Sequence, residues 1–184
     1  LLVTSTVHNT HHLYATKLVL THPLAGGTLS FGGEYSHSKR TNLFVNPQGI
    51  VADDDSYSKE GIASAFVEYG RQIGKASLQA GVRYEHVAFD YYIKNIHRKD
   101  MSRTTDDFFP SLGLSFPIGK VQMQLGYAKD ILRPSFSQLS GEVTYNNRYT
   151  YQTGNPLLLP MTTDNISLNA IYRWASLSVG YQHI

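Results

Sequence analysis

The chain has 184 residues, 16 Lys and Arg against 14 Asp and Glu, a net charge of +2 and no cysteine. Charged residues make up 16% and hydrophobic ones 41%, with 13 Tyr and 8 Phe beside a single Trp. This composition excludes a disordered polyelectrolyte, a strongly basic nucleic-acid footprint and any disulfide framework, thiolate metal site or cysteine nucleophile. No apolar run exceeds three residues. That leaves no room in this sequence for a membrane helix of about 20 residues or for a secretory signal core. Leu1 is not Met, and Gly180 to Ile184 stop inside an alternating pattern, so the sequence reads as a segment cut from a longer chain.

Taken in chain order, eight segments alternate apolar and polar residues with a period of two, the spacing of a strand with two unlike faces. The first, 14–22, carries Thr16, Leu18 and Leu20. In 28–36, Leu29, Phe31, Gly33 and Tyr35 oppose Ser30, Gly32, Glu34 and Ser36. In 62–72, a weaker case, Ala63, Ala65, Val67 and Tyr69 form the apolar row and Phe66 falls on the polar one. In 76–88, Ala76, Leu78, Ala80, Val82 and Tyr84 oppose Ser77, Gln79, Gly81, Arg83 and Glu85. The segment 108–116 sets Phe108, Pro110, Leu112, Leu114 and Phe116 against Ser111, Gly113 and Ser115. In 121–128, Val121, Met123, Leu125 and Tyr127 oppose Gln122, Gln124 and Gly126. In 166–174, Ile166, Leu168, Ala170, Tyr172 and Trp174 oppose Ser167, Asn169 and Arg173, with Ile171 an exception on the polar row. The last, 176–182, sets Leu177, Val179 and Tyr181 against Ser176, Ser178, Gly180 and Gln182. Helical spacing is confined to a single turn at Ser135–Leu139.

Short connections near Pro23–Gly27, Gly74–Lys75, Pro117–Lys120 and Ala175 alternate with long ones near Asn46–Lys59, Lys94–Asp106 and Pro134–Thr163. Short links close antiparallel hairpins, and strict short–long alternation suits an up-and-down barrel with unlike rims. The expected fold is all-β: an antiparallel up-and-down meander of about eight strands of about 9–12 residues, with residues 1–184 forming one part of a larger transmembrane β-barrel. The apolar row would face lipid and the polar row a wet lumen. Tyr35, Tyr69, Phe116, Tyr127, Tyr172, Trp174 and Tyr181 gather at strand ends, where amphipathic rings meet headgroups. Glu34, Glu68 and Glu85 would share the lumen with Arg83. The alternative is a soluble small β-barrel or sandwich binding an apolar ligand, which would seal Leu78, Ala80, Val82, Leu112, Leu114, Leu125 and Leu168 beneath protein.

Two stretches are more specific. Tyr127-Ala128-Lys129-Asp130-Ile131-Leu132-Arg133-Pro134-Ser135-Phe136-Ser137-Gln138-Leu139 ends a strand in an Arg-Pro-Ser-aromatic-x-Gln-Leu turn. Tyr149-Thr150-Tyr151-Gln152-Thr153-Gly154-Asn155-Pro156-Leu157-Leu158-Leu159-Pro160 leads into the next strand. In this order the pair resembles the barrel of TonB-dependent outer-membrane receptors, especially the Bacteroidetes-type outer-membrane barrels. The sequence departs from them at Pro160-Met161, where the family often has Pro-Glu. The resemblance implies the outer membrane of a Gram-negative bacterium and binding rather than catalysis. It also implies a nutrient ligand and a TonB-type energy-coupling partner acting through a plug that is not in this sequence. Arg133, Pro134, Ser135, Gln138, Leu139, Gly154, Asn155 and Pro156 are then motif positions, and Arg133, Tyr145, Arg148, Tyr149 and Tyr151 are candidate ligand contacts in an outer loop. Pro134 ends ladder pairing because it lacks an N–H, and Ser135 is placed to cap the turn behind it.

Other chemistry carries less. His8, His11 and His12 cluster without Cys or acidic neighbours, so no metal is assigned. Asp53-Asp54-Asp55 and Asp106-Asp107 read as solvated loop or strand-start carboxylates. No Gly-x-Ser-x-Gly elbow, His-Glu-x-x-His or phosphate loop occurs; no catalytic residue or cofactor is assigned. The partners expected are outer-membrane lipid and the unknown nutrient, with no nucleic acid. An isolated eight-stranded piece, with two open edges and a large apolar face, is expected to self-associate.

Overall fold

The computed structural model describes residues 4–50, 52–139, 143–147, 150–155 and 157–184. The strands are β1 (Thr6–Leu24), β2 (Gly27–Val45), β3 (Asp54–Ile73), β4 (Ala76–Ile93), β5 (Ile96–His97), β6 (Arg103–Ile118), β7 (Val121–Leu132), β8 (Val143–Asn147), β9 (Thr150–Thr153), β10 (Met161–Tyr172) and β11 (Ala175–His183), with one helical turn, α1 (Phe136–Leu139). Eight strands pair in the order β1-β2-β3-β4-β6-β7-β10-β11; β5 folds back on β4, and β8 and β9 form a separate hairpin. All pairings in this sheet are antiparallel. Each of the eight predicted segments lies on one of these strands; the seventh overruns β10 by Arg173 and Trp174.

The turns explain why the sheet reverses where it does. At β3–β4 and β6–β7, Gly74 and Gly119 take φ of 60° at the first turn position, where a two-residue hairpin of the II′ type needs positive φ. Ala25 and Gly26 between β1 and β2 take φ of 49° and 75°, the two positive values of a I′ turn.

Register lines up the alternation of every strand into two continuous faces. Leu29 opposes Tyr69, which opposes Ala80; Ala80 opposes Leu112, Leu112 opposes Tyr127, and Tyr127 opposes Ile166, which faces Tyr181. One residue along, Thr28, Gly70, Gln79, Gly113, Gly126, Ser167 and Gly180 make the matching row on the other face. A slip of one residue at any pair would exchange the faces, so the apolar pattern itself selects this register. The apolar face has no second layer over it among the described residues: Val82, Leu112 and Leu125 are 39%, 49% and 42% exposed. The sandwich alternative required that face to be sealed.

Aromatic residues bound the apolar face at two levels. Tyr69, Phe116, Tyr172 and Trp174 lie toward the short turns, and the Tyr69 hydroxyl donates to the Leu24 carbonyl at 3.2 Å. Tyr35, Tyr84, Phe108, Tyr127 and Tyr181 lie toward the long connections. This upper level drifts in register. Tyr14 on β1 opposes His37 of β2, two residues beyond Tyr35, whereas Tyr127 and Tyr181 share the row of Leu29. The drift is about one residue per strand, as expected where a membrane plane cuts strands tilted by about 40°.

Strand length differs from expectation. β1 to β4 run 19, 19, 20 and 18 residues, well beyond what a tilted strand needs to cross hydrocarbon. The ladder continues past the upper aromatics into a region where polar residues stand on both faces, and the connection expected over 46–59 shrinks to 46–53. Buried residues gather in this upper part: Phe44 is fully buried, and Phe89, Tyr91 and Leu139 form a small cluster with Ile93 and Met101 packed against it.

A loop cluster locked over the lumen wall

The two motif stretches meet. β7 ends at Leu132, opposite Met161 at the start of β10, because Pro134 has no N–H to extend the ladder. Ser135 caps the turn that follows. Its carbonyl accepts from the Gln138 and Leu139 amides at 3.1 and 3.2 Å, while Gln138 Oε1 accepts from the Ser135 amide at 2.8 Å and its hydroxyl at 2.9 Å. This Ser-x-x-Gln reciprocity is the backward half of a capping box. The Gln138 carbonyl then accepts from the Asn155 amide at 2.6 Å. Asn155 Oδ1 accepts from the Leu157 amide at 3.0 Å, an Asx turn that sets the return to β10. The spacing of the two motifs is therefore the spacing of one hydrogen-bonded joint.

Two side chains fasten the joint to the sheet. Leu139 is buried on Phe89 and Tyr91 of β4. Arg133 donates to the Glu85 carboxylate, also on β4 and reached across β6. Glu85 is 4% exposed. Arg83 Nε lies 2.7 Å from the other Glu85 oxygen, although outside hydrogen-bonding geometry; the pair is Coulombic there. A carboxylate this buried needs its cations: removing one partner of a buried pair typically costs about 3–5 kcal/mol, and partial exposure of both arginines lowers that figure here.

Of the predicted lumen carboxylates, Glu34 lies 3.8 Å from Lys17 and Glu68 accepts from Gln79. Together with Glu85 they fall on the polar face, as expected. Below the loop cluster that face forms a groove of about 710 Å³ toward the short turns, lined by Gly70, Gln79, Ser115, Gln124, Ser167 and Asn169 among others. Its lining is small and amide-rich.

The candidate ligand contacts divide. Arg133 is engaged by Glu85 as described. Tyr145 and Tyr151 oppose one another in the β8–β9 hairpin, which follows α1 in the same connection. Arg148, Tyr149 and the motif residue Pro156 lie outside the described residues. The β8–β9 hairpin and the Glu85 partner of Arg133 were missed from sequence. The Tyr-rich run over 145–151 was the available sign of the first, and a lone Glu on a lumen row that of the second.

The remaining clusters resolve into local hydrogen bonding. Asp53 Oδ1 accepts from the Asn46 amide at 2.7 Å; Asp54 Oδ2 accepts from Asn42 Nδ2 at 2.6 Å and the Ser56 hydroxyl at 2.8 Å. Asp106 accepts from the Tyr84 hydroxyl at 2.5 Å and lies 2.8 Å from His86 Nδ1. His11 falls on the opposite face of β1 from His8 and His12, and pairs with Arg40. Among the described residues no three His, Asp or Glu groups converge on a metal-sized site.

An open antiparallel meander with one apolar outer face, one polar inner face and unlike rims is part of the wall of a membrane β-barrel. The chain belongs to the outer membrane protein β-barrel family, whose model matches residues 1–184; its place is the outer membrane of a Gram-negative bacterium. No curated protein sequence matches it. Its fold is similar to that of the copper transporter OprC, with a TM-score of 0.68 at 13% identity over 96% of this chain and 30% of that one. It is also similar to the ferric citrate transporter FecA, at 0.58 and 12% over 91% and 26%. A third is the ferric yersiniabactin uptake receptor FyuA of Yersinia pestis, at 0.54 and 12% over 98% and 29%. The chain thus spans under a third of each of these structures.

Proposed function

We propose that this chain is a wall segment of a TonB-dependent receptor of the Bacteroidetes type, which takes up a nutrient across the outer membrane. The observation that carries the reading is the joint between Gln138 and Asn155 together with the Arg133–Glu85 lock. It ties both ends of a long outer connection to a lumen wall whose floor is lined mainly by small and amide side chains. Such a wall supplies binding surface. In this reading Tyr145 and Tyr151 of the β8–β9 hairpin meet the nutrient together with Arg148 and Tyr149, and Arg133 anchors the start of the same connection. The small, amide-lined groove is the wall against which a plug rests, and the energy-coupling protein acts on the plug. Tyr35, Tyr69, Phe116, Tyr127, Tyr172, Trp174 and Tyr181 seat the wall at the two headgroup layers.

The test is growth of a strain carrying the full-length protein, with ferric chelates, haem, cobalamin or oligosaccharides each made limiting in turn, with and without its TonB protein. Growth on at least one of these should require both proteins. Uptake that proceeds unchanged without TonB would overturn the proposal.

A further inference from the structure

The outward row does not end at the upper aromatics. On β2 it continues from Tyr35 through His37 to Lys39, and the unbroken register places Lys39 directly opposite Lys59 of β3, with His12 of β1 on its other side. Two ammonium groups opposed on one face repel one another. A solvated edge would normally interleave opposite charges, and here the carboxylate in reach is spoken for. Asp90 opposes Lys59 on β4, yet its Oδ1 lies 3.1 Å from His97 Nε2. Neither lysine has a carboxylate within salt-bridge distance among the described residues. Both turn instead to aromatic faces. Lys39 Nζ is 5.1 Å and Lys59 Nζ 5.8 Å from the Tyr57 ring, and Lys59 is 5.4 Å from the Tyr92 ring. Tyr57 and Tyr92 are themselves stacked at 4.4 Å with an 8° interplanar angle, a rigid shelf that holds two cations together.

Height matters as much as charge. Four residues of a strand tilted by about 40° rise about 10 Å. The lysine backbones therefore stand at the outer edge of the headgroup layer above Tyr35, within reach of it for a long flexible side chain, on the surface that faces neighbouring lipid rather than the lumen. We propose that Lys39 and Lys59, on the Tyr57–Tyr92 shelf, bind the phosphate of an anionic lipid in the outer leaflet, with the imidazole N–H groups of His12 and His37 at its margin. A phosphate between them replaces the mutual repulsion of the lysines with two charge-assisted contacts. This inference rests on membrane orientation, with the long connections outward, and is independent of which nutrient is carried or whether TonB drives uptake.

The test uses the full-length protein in detergent, with diphosphorylated lipid A as the probe, read by native mass spectrometry. Wild type and K75Q, a control at a short turn, should retain the lipid. K39Q/K59Q should bind it about thirtyfold more weakly, the combined contribution of two surface lysines, and K39R/K59R should restore it. Heat-modifiable gel migration establishes that each variant is folded. Dephosphorylated lipid A should bind wild type no better than it binds K39Q/K59Q, and inorganic phosphate should not displace the lipid. Equal lipid A retention by folded K39Q/K59Q would overturn the proposal. So would displacement by inorganic phosphate alone, which would make the site one for the free ion.

Discussion

On β2 the outward row reads Leu29, Phe31, Gly33, Tyr35, then His37, Lys39, Thr41 and Leu43, with no break in pairing to either neighbour. One ladder thus passes through two solvents. In the lower region hydrocarbon covers the outward row and the inner row is polar, so no apolar surface there needs protein to cover it. In the upper region water touches the outward row and protein must cover part of the inner one. That is where Phe44, Phe89, Tyr91 and Leu139 are buried. The backbone is the same in both regions; what differs is which medium removes apolar surface from water.

A charge placed on the outward row separates the two regions most sharply. L112R puts a guanidinium near the middle of the apolar face of β6 and should cost about 2–4 kcal/mol. T41R, on the same face of the sheet above the aromatics, should cost about 0–1 kcal/mol. Denaturant unfolding of the full-length protein in bilayers reads both. Equal costs would mean that the two regions share one environment.

Truncating the cover of the upper region should come next. L139A removes the side chain that seats α1 on Phe89 and Tyr91, a change worth about 2–3 kcal/mol in a packed core. The loss should fall on the loop alone: faster amide exchange and protease cleavage over 134–160, with barrel unfolding unmoved. E85Q should act in the same place and less strongly, about 1–3 kcal/mol, by leaving Arg133 without its full charge partner. In the combined E85Q/L139A variant the two effects should fall short of additive, because one loop is released only once. Strict additivity would show that the Arg133 lock and the Leu139 seat hold separate structures.

The same division of solvents decides what the sequence discloses. Alternation marks a boundary between unlike media, so Leu29–Tyr35 and Leu78–Tyr84 announce their strands and their register. Above the aromatics the outward His12, Lys39 and Lys59 are polar and so are the inward Ser38, Asn42 and Ser58. A ladder with polar residues on both faces looks like a loop when read by period two, which is why β2 runs past its predicted segment and β3 begins inside the expected connection. The Arg133-Pro134-Ser135 turn was visible as a motif and as a helical turn. Its partners were not, since Glu85 lies 48 residues away and only the pairing of β4, β6 and β7 brings it near. The link from Gln138 to Asn155 is a main-chain contact, which leaves no trace in side-chain type.

The smallest effect expected lies at the tip of the upper region, between β5 and β6. Arg98 makes a two-pronged contact with Asp100 at 3.0 and 2.8 Å, and that hydrogen-bonded cation holds the Asp100 carboxyl below its usual range. A depressed folded-state pKa stabilises the charged form. The contribution is present above the ordinary aspartate value and is lost as pH falls through the lower, folded one. Both side chains are in water, so the effect belongs to the turn and not to the barrel. Carboxyl-carbon NMR of the full-length protein should give Asp100 a titration midpoint below about 3.9, the unperturbed value. R98Q should return it to that value while the unfolding midpoint of the barrel stays where it was. A midpoint unmoved by R98Q would assign the shift to the backbone around Asp100 and leave Arg98 a bystander.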